Sequence, residues 1–351
     1  MAKIQKTTGN GPLKWLITGG CGFIGTRLIN GLVSGEDNGG EDNGKRGHQI
    51  RVLDNLTVGT RDDLARVASV SEAPGKSGDH WPAAGVTLIP GDIKDAETCH
   101  DAARGADVIV HLAANTGVGP SVEDPAADMR ANVIGTFNML EAARHNGTGR
   151  FIFASSGAPA GECEPPIHEE LAPHPVSPYG ASKLAGEGYC SAYAATFGVE
   201  TVALRFGNVY GPGSGHKNSV VAKFIKNAFH GEPLEIYGDG NQTRDFIFID
   251  DLIRAIRLAA VQPGIGGQTF QIATSMETTV GELVERLVPV LEAIGKSGIQ
   301  VIHGESRTGD VRRNYADTAK AARLLNWQSE YSLEDGLRET VAYFVENSKK
   351  R

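Results

Sequence analysis

The segment 18-TGGCGFIG-25 follows the apolar run LKWLIT and opens the amphipathic pattern FIGTRLINGLVSG, which is typical of a strand leading into a helix. Its glycines recur with a G-x-x-G-x-x-G spacing. Glycines at such a junction allow a tight turn, and the free N–H groups at the start of the helix can face a pyrophosphate. The segment therefore predicts a dinucleotide-binding turn. The cofactor contacts expected in it are Gly19, Gly22, Phe23, Ile24 and Gly25.

Short β-branched runs alternate with helix-length segments along the first two thirds of the chain. After LKWLIT they are HQIRVLD, GVTLIPGD, ADVIVHLAA, RFIFASS and VETVALRFG. Strands separated by helices are typical of βαβ units, so we predict an α/β fold with a doubly wound parallel sheet, a Rossmann fold. After about residue 206 the pattern is irregular, with one more strand, QTFQIA, and helices near 279–294 and 316–326. We expect this part to form a smaller C-terminal α/β lobe.

The composition narrows the class of protein. The 351 residues carry a formal net charge of −8, which argues against a surface that binds nucleic acid or anionic membranes. The four cysteines lie far apart with no C-x-x-C pair, and no run approaches 18 apolar residues. We therefore expect a cytoplasmic protein with reduced cysteines, no metal site, no membrane span and no nucleic-acid partner. The tandem repeat GEDNGGEDNG at 35–44 predicts a surface loop.

Polar and small residues stand at the ends of three further strand candidates. Asp54 ends the second strand, where a carboxylate accepts hydrogen bonds from both ribose hydroxyls and repels a 2′-phosphate, so NAD is favoured over NADP. In PGDIKD, Asp92 and Ile93 offer one polar and one apolar contact to an adenine ring. A ligand that lies across the carboxyl edge of the sheet requires such repetition at consecutive strand ends. The small residues of HLAAN add the cofactor contacts Leu112, Ala113 and Ala114.

The segment 177-SPYGASKLAGE-187 places Tyr179 and Lys183 one helical turn apart on one face. A phenol with a pKa near 10 is a poor base at neutral pH. We expect the Lys183 ammonium and a nicotinamide ring to favour the phenolate and so lower the pKa of Tyr179. Lys183 can also hydrogen-bond the nicotinamide ribose, so both residues belong to the predicted catalytic and cofactor-binding sets.

Seven motifs occur in order: TGGCGFIG, DNLTVG, GDI, HLAA, SPYGASK, RFGNVYGP and GDGNQTRDFIFIDD. Together they resemble the NAD-dependent epimerase/dehydratase family, the extended short-chain dehydrogenases, from residue 13 to about residue 340. DNLTVG and RTGDVRRNYADTAKAARLLNW are most similar to UDP-hexose 4-epimerases. The resemblance implies NAD as cofactor, a UDP-sugar substrate and a homodimer that pairs through helices at about 127–146 and 179–197. It adds Asn55, Thr57 and Gly59 to the expected cofactor contacts.

The family pattern also implies which residues act on the substrate. Tyr179 would be the general base, Lys183 its partner, and Ser156, five positions before Gly161, the serine that hydrogen-bonds the sugar hydroxyl. The expected substrate contacts are Thr116, Ser156, Asn208, Ser219, Val220, Arg244, Arg307 and Asp310. Asparagine and arginines of this set would bind the diphosphate, and Asp310 would lie near its ribose.

Three residues near these motifs need separate treatment. Ser121, on the loop after HLAAN, could reach the sugar together with Thr116. His216 and Lys217 fall between recognisable motifs, so we expect both on the solvated surface.

The residues after Ser156 separate the reactions of this family. Members that eliminate water carry an Asp–Glu pair there, and decarboxylating members carry a glutamate nearby, whereas this sequence has Gly157 and Ala158. Pro159-Ala160 replaces the usual Val-Tyr pair, which leaves room beside the sugar or reshapes the loop. Without a second proton-transferring group the site can oxidise one carbon and reduce it again.

We therefore expect a 4-epimerase that acts on a UDP-hexose or UDP-uronate, with an N-acetylhexosamine also open. The alternatives are a dehydratase, a decarboxylase or a 4-reductase of the same fold, and an NAD-sensing scaffold that is not an enzyme. The expected NAD-binding Rossmann domain spans 12–205 and about 245–263, the nucleotide-sugar-binding lobe spans about 206–244 and 264–345, and 1–11 and 346–351 are expected to be flexible termini.

Overall fold

The computed structural model describes residues 11–34, 47–73, 81–305 and 311–348. The repeat at 35–44 and the expected substrate contacts Arg307 and Asp310 lie outside these residues, as do residues 1–10 and 349–351 of the expected flexible termini. Within the described ranges, every helix is too short or too polar to span a lipid bilayer. The four cysteines are free thiols.

Strands and helices alternate through the first half of the chain. The strands are β1 (Lys14–Thr18), β2 (Gln49–Asp54), β3 (Val70–Glu72), β4 (Val86–Pro90), β5 (Val108–His111), β6 (Arg150–Ser156), β7 (Glu200–Phe206), β8 (Asn208–Tyr210), β9 (Leu234–Tyr237), β10 (Thr243–Arg244), β11 (Phe246–Phe248), β12 (Gln268–Ile272), β13 (Thr278–Thr279) and β14 (Val301–Gly304). The α-helices are α1 (Phe23–Ser34), α2 (Arg61–Ala65), α3 (Ala96–Ala103), α4 (Val118–Glu123), α5 (Pro125–Asp128), α6 (Gly135–Asn146), α7 (Pro178–Phe197), α8 (Val220–His230), α9 (Ile249–Val261), α10 (Val280–Ala293), α11 (Ala319–Leu325) and α12 (Leu333–Ser348). A π-helical segment, Met129–Ile134, joins α5 to α6, and 3₁₀ turns occur at Ala158–Ala160 and Ser214–His216.

Eight strands form one parallel sheet in the order β12-β7-β6-β5-β1-β2-β4-β3. The chain moves outward from β1 through β2 to β4, then returns to β5 on the other side of β1 and continues outward through β6 and β7. The change of direction therefore lies between β1 and β5, where doubly wound folds bind ligands at the carboxyl ends of the strands. The predicted Rossmann fold is confirmed.

Residues of the central strands enter hydrophobic cores on both faces of the sheet. Ile17 and Ile152 belong to the core on the side of α1 and α9, whereas Leu16 and Phe151 belong to the core formed with α3, α6 and α7. All four are at most 1% exposed. Burial on both faces explains why these strands are apolar at successive positions instead of alternating.

The C-terminal part differs from the sequence-based expectation in two places. β12, which the expected boundary at residue 264 assigns to the smaller lobe, pairs with β7 and forms an edge of the large sheet. α12 continues to Ser348, so residues 346–348 are helical and not a flexible terminus. The other strands of this part form two-stranded sheets, β8 with β11, β9 with β14 and β10 with β13. α10 and α11 lie within the two segments predicted as late helices.

Candidate active site

The glycine turn connects β1 to α1 at the change of direction in the sheet. Gly19 has a φ of +69°, and a Cβ there would lie 2.8 Å from the backbone N of Ala113, in the loop after β5. The Gly19 N–H donates to the Leu53 carbonyl at 2.9 Å, and α1 begins at Phe23. The first N–H groups of α1 therefore open toward the edge where β1, β2 and β5 end, a place suited to a pyrophosphate.

Asp54, at the end of β2, ties the glycine turn to the next loop. Its Oδ2 accepts from the Cys21 N–H at 2.9 Å, and its Oδ1 accepts from the Leu56 N–H at 2.8 Å. Gly59 packs against the same turn so closely that a Cβ would lie 2.0 Å from the Cys21 carbonyl oxygen. Because a carboxylate has about four acceptor positions, Asp54 keeps capacity for ribose hydroxyls.

Asn55, Thr57 and Asp92 form a hydrogen-bonded group beside Asp54. Asn55 Nδ2 donates to Asp92 Oδ2 at 3.1 Å, and the Thr57 hydroxyl donates to Asn55 Oδ1 at 2.7 Å. Burial opposes ionisation of Asp92, but hydrogen bonds from Lys94 and Asn55 outweigh it and lower the pKa of the Asp92 carboxyl. A charged acceptor is therefore present where the polar contact to adenine is expected.

The apolar residues expected at the cofactor are less exposed than this polar group. Ile93 is 7% exposed and turns toward α6, where a Cβ on Gly135 would lie 2.5 Å from its Cδ1. The end of β5 is held by Thr18, whose carbonyl and hydroxyl accept the N–H groups of the two residues that follow the strand. The small residues there are partly buried at the sheet edge: Leu112, Ala113 and Ala114.

Ser156, Tyr179 and Lys183 meet where β6 ends and α7 begins. The phenol of Tyr179 is hydrogen-bonded to Ser156. Lys183 is 4% exposed, its Nζ donates to the Ala154 carbonyl at 2.8 Å, and the same amine lies 5.8 Å from the centroid of the Tyr179 ring. The structure thus brings together the three residues that the sequence nominates as the catalytic group.

The electrostatics of this group differ from the expectation. Burial raises the pKa of Tyr179 to about 12, although the hydrogen bond with Ser156 acts in the opposite direction. Burial also lowers the pKa of Lys183 to about 8, against the influence of Asp128 and Glu187. The predicted lowering of the Tyr179 pKa by Lys183 is wrong for the protein's own residues, because burial dominates and the amine lies over the ring.

The start of α7 is fixed by two serines. Ser177 is its N-cap and accepts from the Gly180 N–H at 3.1 Å. Ser121 accepts from the Tyr179 N–H at 3.1 Å and donates to the Val118 carbonyl at 2.7 Å. Ser121 is fully buried, so the suggestion that its side chain reaches a sugar is wrong, and it positions the backbone of Tyr179 instead. Thr116, earlier on the same loop, is exposed.

The two serines that end β6 serve different groups, because successive side chains of a strand point to opposite faces. Ser155 is 3% exposed and donates to Glu187 Oε1 at 2.5 Å. Arg205, on β7, donates to both oxygens of Glu187 at 2.8 and 2.7 Å. Ser156 therefore bonds the phenol, while Ser155 bonds a buried ion pair one helical turn beyond Lys183.

Sequence reasoning missed a polar group behind the site. Asn132, in the π-helical segment, accepts from the Asn115 N–H at 2.8 Å and donates to the Asn115 carbonyl at 2.9 Å. It also donates to Asp128 Oδ1 at 2.8 Å and to Ser182 Oγ at 3.2 Å. Asp128 and Asn132 are each 1% exposed. Their i, i+4 spacing in an otherwise apolar stretch is the signal that could have found them.

Arg244, on β10, lies against the segment that precedes α11. Its Nη1 donates to the carbonyls of Thr243 and Val311, each at 2.7 Å. Val311 directly follows the undescribed residues that contain Arg307 and Asp310, so the chain carries these expected contacts close to Arg244.

The other expected substrate contacts lie on β8 and at the start of α8. Asn208 is exposed, and its N–H donates to the Asp245 carbonyl at 2.8 Å. Ser219 is the N-cap of α8, which begins at Val220, but its buried Oγ has no hydrogen-bond partner among the described residues. A buried hydroxyl without a partner costs free energy, so this position suits a ligand contact.

Lys217 is not a freely solvated residue, as the sequence suggested. It is partly buried, and its Nζ lies 5.7 Å from the centroid of the Phe23 ring at the start of α1. Lys226 fixes the loop by donating to the Lys217 carbonyl at 2.7 Å. Burial lowers the pKa of Lys217. His216 is exposed, as expected.

A doubly wound sheet with a glycine turn at its change of direction, and an aspartate at the end of β2, defines a dinucleotide-binding α/β protein. The space at Gly19 and Gly59 that a Cβ would fill fits such a ligand. The chain belongs to the NAD dependent epimerase/dehydratase family, whose model matches residues 15–273.

Similar proteins include both kinds of enzyme in the family's name. A UDP-glucose 4-epimerase from Mycolicibacterium smegmatis is 32% identical over 342 residues, which cover 96% of this chain and 100% of that protein. The crystal structure of Thermotoga maritima UDP-glucose 4-epimerase with UDP-glucose has a TM-score of 0.81 at 32% identity and covers 96% of this chain and 100% of its own. DesIV, a dTDP-glucose 4,6-dehydratase from Streptomyces venezuelae with NAD bound, has the same TM-score and identity over 96% of this chain and 98% of its own.

The protein is therefore an NAD-dependent enzyme of the sugar epimerase/dehydratase type. The NAD cofactor expected from the glycine turn and from Asp54 is confirmed by the family. Since epimerases and dehydratases are similar to this chain at the same identity, the choice between them depends on the residues of the site.

Proposed function

We propose that this chain is an NAD-dependent UDP-sugar 4-epimerase. The supporting observation is the loop after β6, where Ser156 bonds Tyr179 but the next residues, Gly157 and Ala158, offer no side chain that transfers a proton. Elimination of water requires a proton to be removed at one carbon and another delivered nearby. With a single base, the site can oxidise C4 and reduce it again, and return of hydride to the opposite face inverts that centre.

The carboxylates nearest the catalytic pair do not supply the missing acid or base. Asp128 is 1% exposed, and its Oδ1 is bonded to Asn132. Glu187 is 7% exposed and forms a bidentate ion pair with Arg205. Both side chains are committed to partners in the interior, so neither is available at the surface that a sugar would contact.

In the proposed reaction, Tyr179 as phenolate accepts the proton of the C4 hydroxyl, and Ser156 hydrogen-bonds that oxygen. Bound NAD supplies the acceptor, and then the donor, of the hydride. Because burial raises the pKa of Tyr179 to about 12, forming the phenolate is costly. The ammonium of Lys183 stabilises this anion, and the proton held by Tyr179 returns to the C4 oxygen in the second half of the reaction.

A keto sugar that must present both faces is best held by its nucleotide. We propose that Arg244 and Arg307 bind the diphosphate, since arginine forms strong charge-assisted hydrogen bonds with phosphate oxygens. The unpartnered hydroxyl of Ser219 suits the nucleotide near the start of α8. The remaining proposed contacts are Thr116 at the sugar, Asn208 at the diphosphate, Val220 beside the base and Asp310 at the ribose.

We also propose a homodimer that pairs through α6 and α7. On this face Phe137 and Tyr189 are 37% and 41% exposed, and their rings are in edge contact with centroids 5.7 Å apart. Ile134 and Phe197 extend the exposed apolar surface at 43% and 41%. Such a patch on two adjacent helices fits an isologous contact with a second copy. A cytoplasmic location, which the free thiols support, and the division into a cofactor lobe and a substrate lobe remain proposals.

Incubation with UDP-glucose, UDP-N-acetylglucosamine and UDP-glucuronate, followed by NMR of the products, tests the reaction. We expect the 4-epimer of at least one of them. Loss of water, loss of carbon dioxide, or net oxidation of added NAD(P)H would instead identify a dehydratase, a decarboxylase or a reductase. Retention of NAD without turnover of any UDP-sugar would favour the scaffold.

A further inference from the structure

His111, the last residue of β5, is a buried polar side chain that the proposed chemistry does not use. It is 1% exposed and lies near two aromatic rings of β6, with centroid distances of 5.9 Å to Phe151 and 6.1 Å to Phe153. Both ring nitrogens are nevertheless hydrogen-bonded. Nδ1 lies 2.8 Å from Thr18 Oγ1, and Nε2 lies 3.1 Å from Thr136 Oγ1.

The two threonines determine which nitrogen carries the proton. Thr136 Oγ1 donates its hydrogen to the Asn132 carbonyl at 2.6 Å, so toward His111 it can only accept. Thr18 Oγ1 accepts from the Ala113 N–H at 3.2 Å, and its own hydrogen is free for Nδ1. The network therefore assigns a neutral imidazole with the proton on Nε2.

This imidazole connects the two halves of the site. On the Nδ1 side, Thr18 immediately precedes the glycine turn, and Ala113 is the residue against which Gly19 packs. On the Nε2 side, Thr136 leads to Asn132, whose amide holds Asn115 and also donates to Ser182.

From there the path reaches the catalytic helix. The Ser182 hydroxyl donates to the Tyr179 carbonyl at 3.0 Å. One end of the network is thus at the cofactor turn and the other at the backbone of the proposed base.

We propose that His111 is a positioning residue which, as the neutral Nε2–H tautomer, couples the cofactor turn through Thr18 to the catalytic helix through Thr136. The catalytic half rests on the proposed roles of Tyr179 and Lys183. The cofactor half does not, because NAD binding follows from the family.

The surroundings keep this tautomer neutral. Burial, assisted by the charge of Lys183, lowers the pKa of His111 to about 3. A protonated ring would need an acceptor at both nitrogens, but on the Nδ1 side the Thr18 hydroxyl would have to turn its hydrogen away. His111 therefore keeps one direction of hydrogen bonding throughout the pH range in which an enzyme works.

Substitution by Asn and by Gln separates the two arms. Asparagine can place its amide oxygen near the former Nδ1 and accept from Thr18, whereas glutamine can place its amide nitrogen near the former Nε2 and donate to Thr136. We expect His111→Asn to keep NAD through gel filtration within threefold of the wild type but to lose at least tenfold in kcat. We expect His111→Gln to show the larger loss of bound NAD, at least tenfold. His111→Phe, which keeps only an aromatic ring, should show both losses.

Bound NAD is measured after acid release, and kcat is measured with saturating NAD and with whichever UDP-sugar the wild type turns over. If Asn and Gln lose NAD and kcat in the same proportion as their melting temperatures fall, His111 is only part of the core and the proposal is overturned.

The wild-type protein provides a test that does not depend on any variant being folded or on the reaction catalysed. In ¹⁵N-histidine-labelled protein, we expect one imidazole that does not titrate between pH 5 and 8 and shows the Nε2–H pattern. If every imidazole titrates there, or the one that does not is the Nδ1–H tautomer, the assignment of His111 fails even if epimerase activity is found. Loss of epimerase activity as a hypothesis, with this signal and the NAD effect intact, would leave the coupling in place.

Discussion

The interior behind α7 and the loop after β6 are adjacent in the chain but use polar groups in opposite ways. In the interior, Ser155, Glu187 and Arg205 bond one another at 2.5 to 2.8 Å although each is at most 7% exposed. In the loop, a Cβ on Gly157 would have no atom within 4 Å, and the next three residues carry no polar side chain.

This difference separates two requirements of the proposed reaction. The buried bonds fix where Tyr179 and Lys183 stand, and their replacement should cost stability or rate. The loop determines which reaction follows oxidation at C4 because it lacks groups that transfer protons. Positioning therefore depends on what the interior contains, and the type of reaction depends on what the loop leaves out.

The largest effect is expected at the boundary of the two regions, in Tyr179→Phe. Removing the hydroxyl removes the proposed base, so turnover should fall by about 10³-fold or more, at the upper part of the range for general-base catalysis. Binding of UDP, measured by calorimetry, should change by less than about twofold because the nucleotide is held elsewhere.

Ser156→Ala is the matched control, since it removes the hydroxyl that bonds the phenol without removing the base. Its loss of turnover should be smaller than that of Tyr179→Phe. Substantial activity in Tyr179→Phe would contradict the proposed mechanism.

The next largest effect is expected within the interior, in Glu187→Gln. This change leaves the 5% exposed Arg205 without its counter-ion, and breaking a buried pair in this way costs about 3–5 kcal/mol of the free energy of unfolding. Urea denaturation measures it.

Asp335→Asn breaks the exposed pair with Arg338 and should cost at most about 1 kcal/mol. If the two substitutions proved equal, the interior would not have the positioning role assigned to it.

Acid should weaken the interior through His111. The unfolded imidazole has a pKa near 6.5, and the folded one is lowered to about 3 by burial and by Lys183. Between these values the unfolded state binds a proton that the folded state excludes, so the free energy of unfolding falls as pH decreases, by about 1.4 kcal/mol per pH unit.

The difference between wild type and His111→Phe isolates this contribution, because the other titrating groups are shared. Denaturation at pH 6.5, 5.5 and 4.5 should show a steeper loss for the wild type. Parallel slopes would mean that His111 is protonated in the folded protein.

The smallest effect is expected in the loop itself, for Gly157→Ala. Gly157 has a φ of −68° and open space at its Cβ position, so the free energy of unfolding should change by less than about 0.5 kcal/mol. Gly161→Ala is the contrast: its φ is +70°, and the new Cβ would lie 1.8 Å from the His174 carbonyl oxygen.

We expect Gly161→Ala to cost about 1–3 kcal/mol from backbone strain alone, with the steric clash in addition. Thermal denaturation of both variants tests whether the loop after Ser156 tolerates change as its packing indicates. A large destabilisation by Gly157→Ala would show that this part of the loop is as constrained as the interior.

The fold and the catalytic pair were predictable because their signals are local. The glycine turn joins consecutive segments, and Tyr179 and Lys183 are four residues apart on one helix. The strands of the sheet were recognisable from apolar runs, including β12. Its place at the edge of the large sheet was not, because it depends on pairing with β7, more than 60 residues earlier.

The buried polar groups were not predictable for the same reason. His111 meets Thr18 and Thr136 across 93 and 25 residues, and no motif joins the three. Ser121 was expected at the sugar, but its contact with the Tyr179 N–H spans 58 residues. The direction of the Tyr179 pKa was also missed, because burial is set by everything that packs around the phenol and not by its neighbour on the helix.

One experiment tests directly whether a site without a second proton-transferring group is limited to inversion at C4. The wild-type protein is incubated in D₂O with the UDP-sugar it turns over, and the product is analysed by NMR. The 4-epimer, with C6 still hydroxylated and no deuterium at C5, is the predicted result. A 4-keto-6-deoxy sugar, or deuterium at C5, would contradict the account.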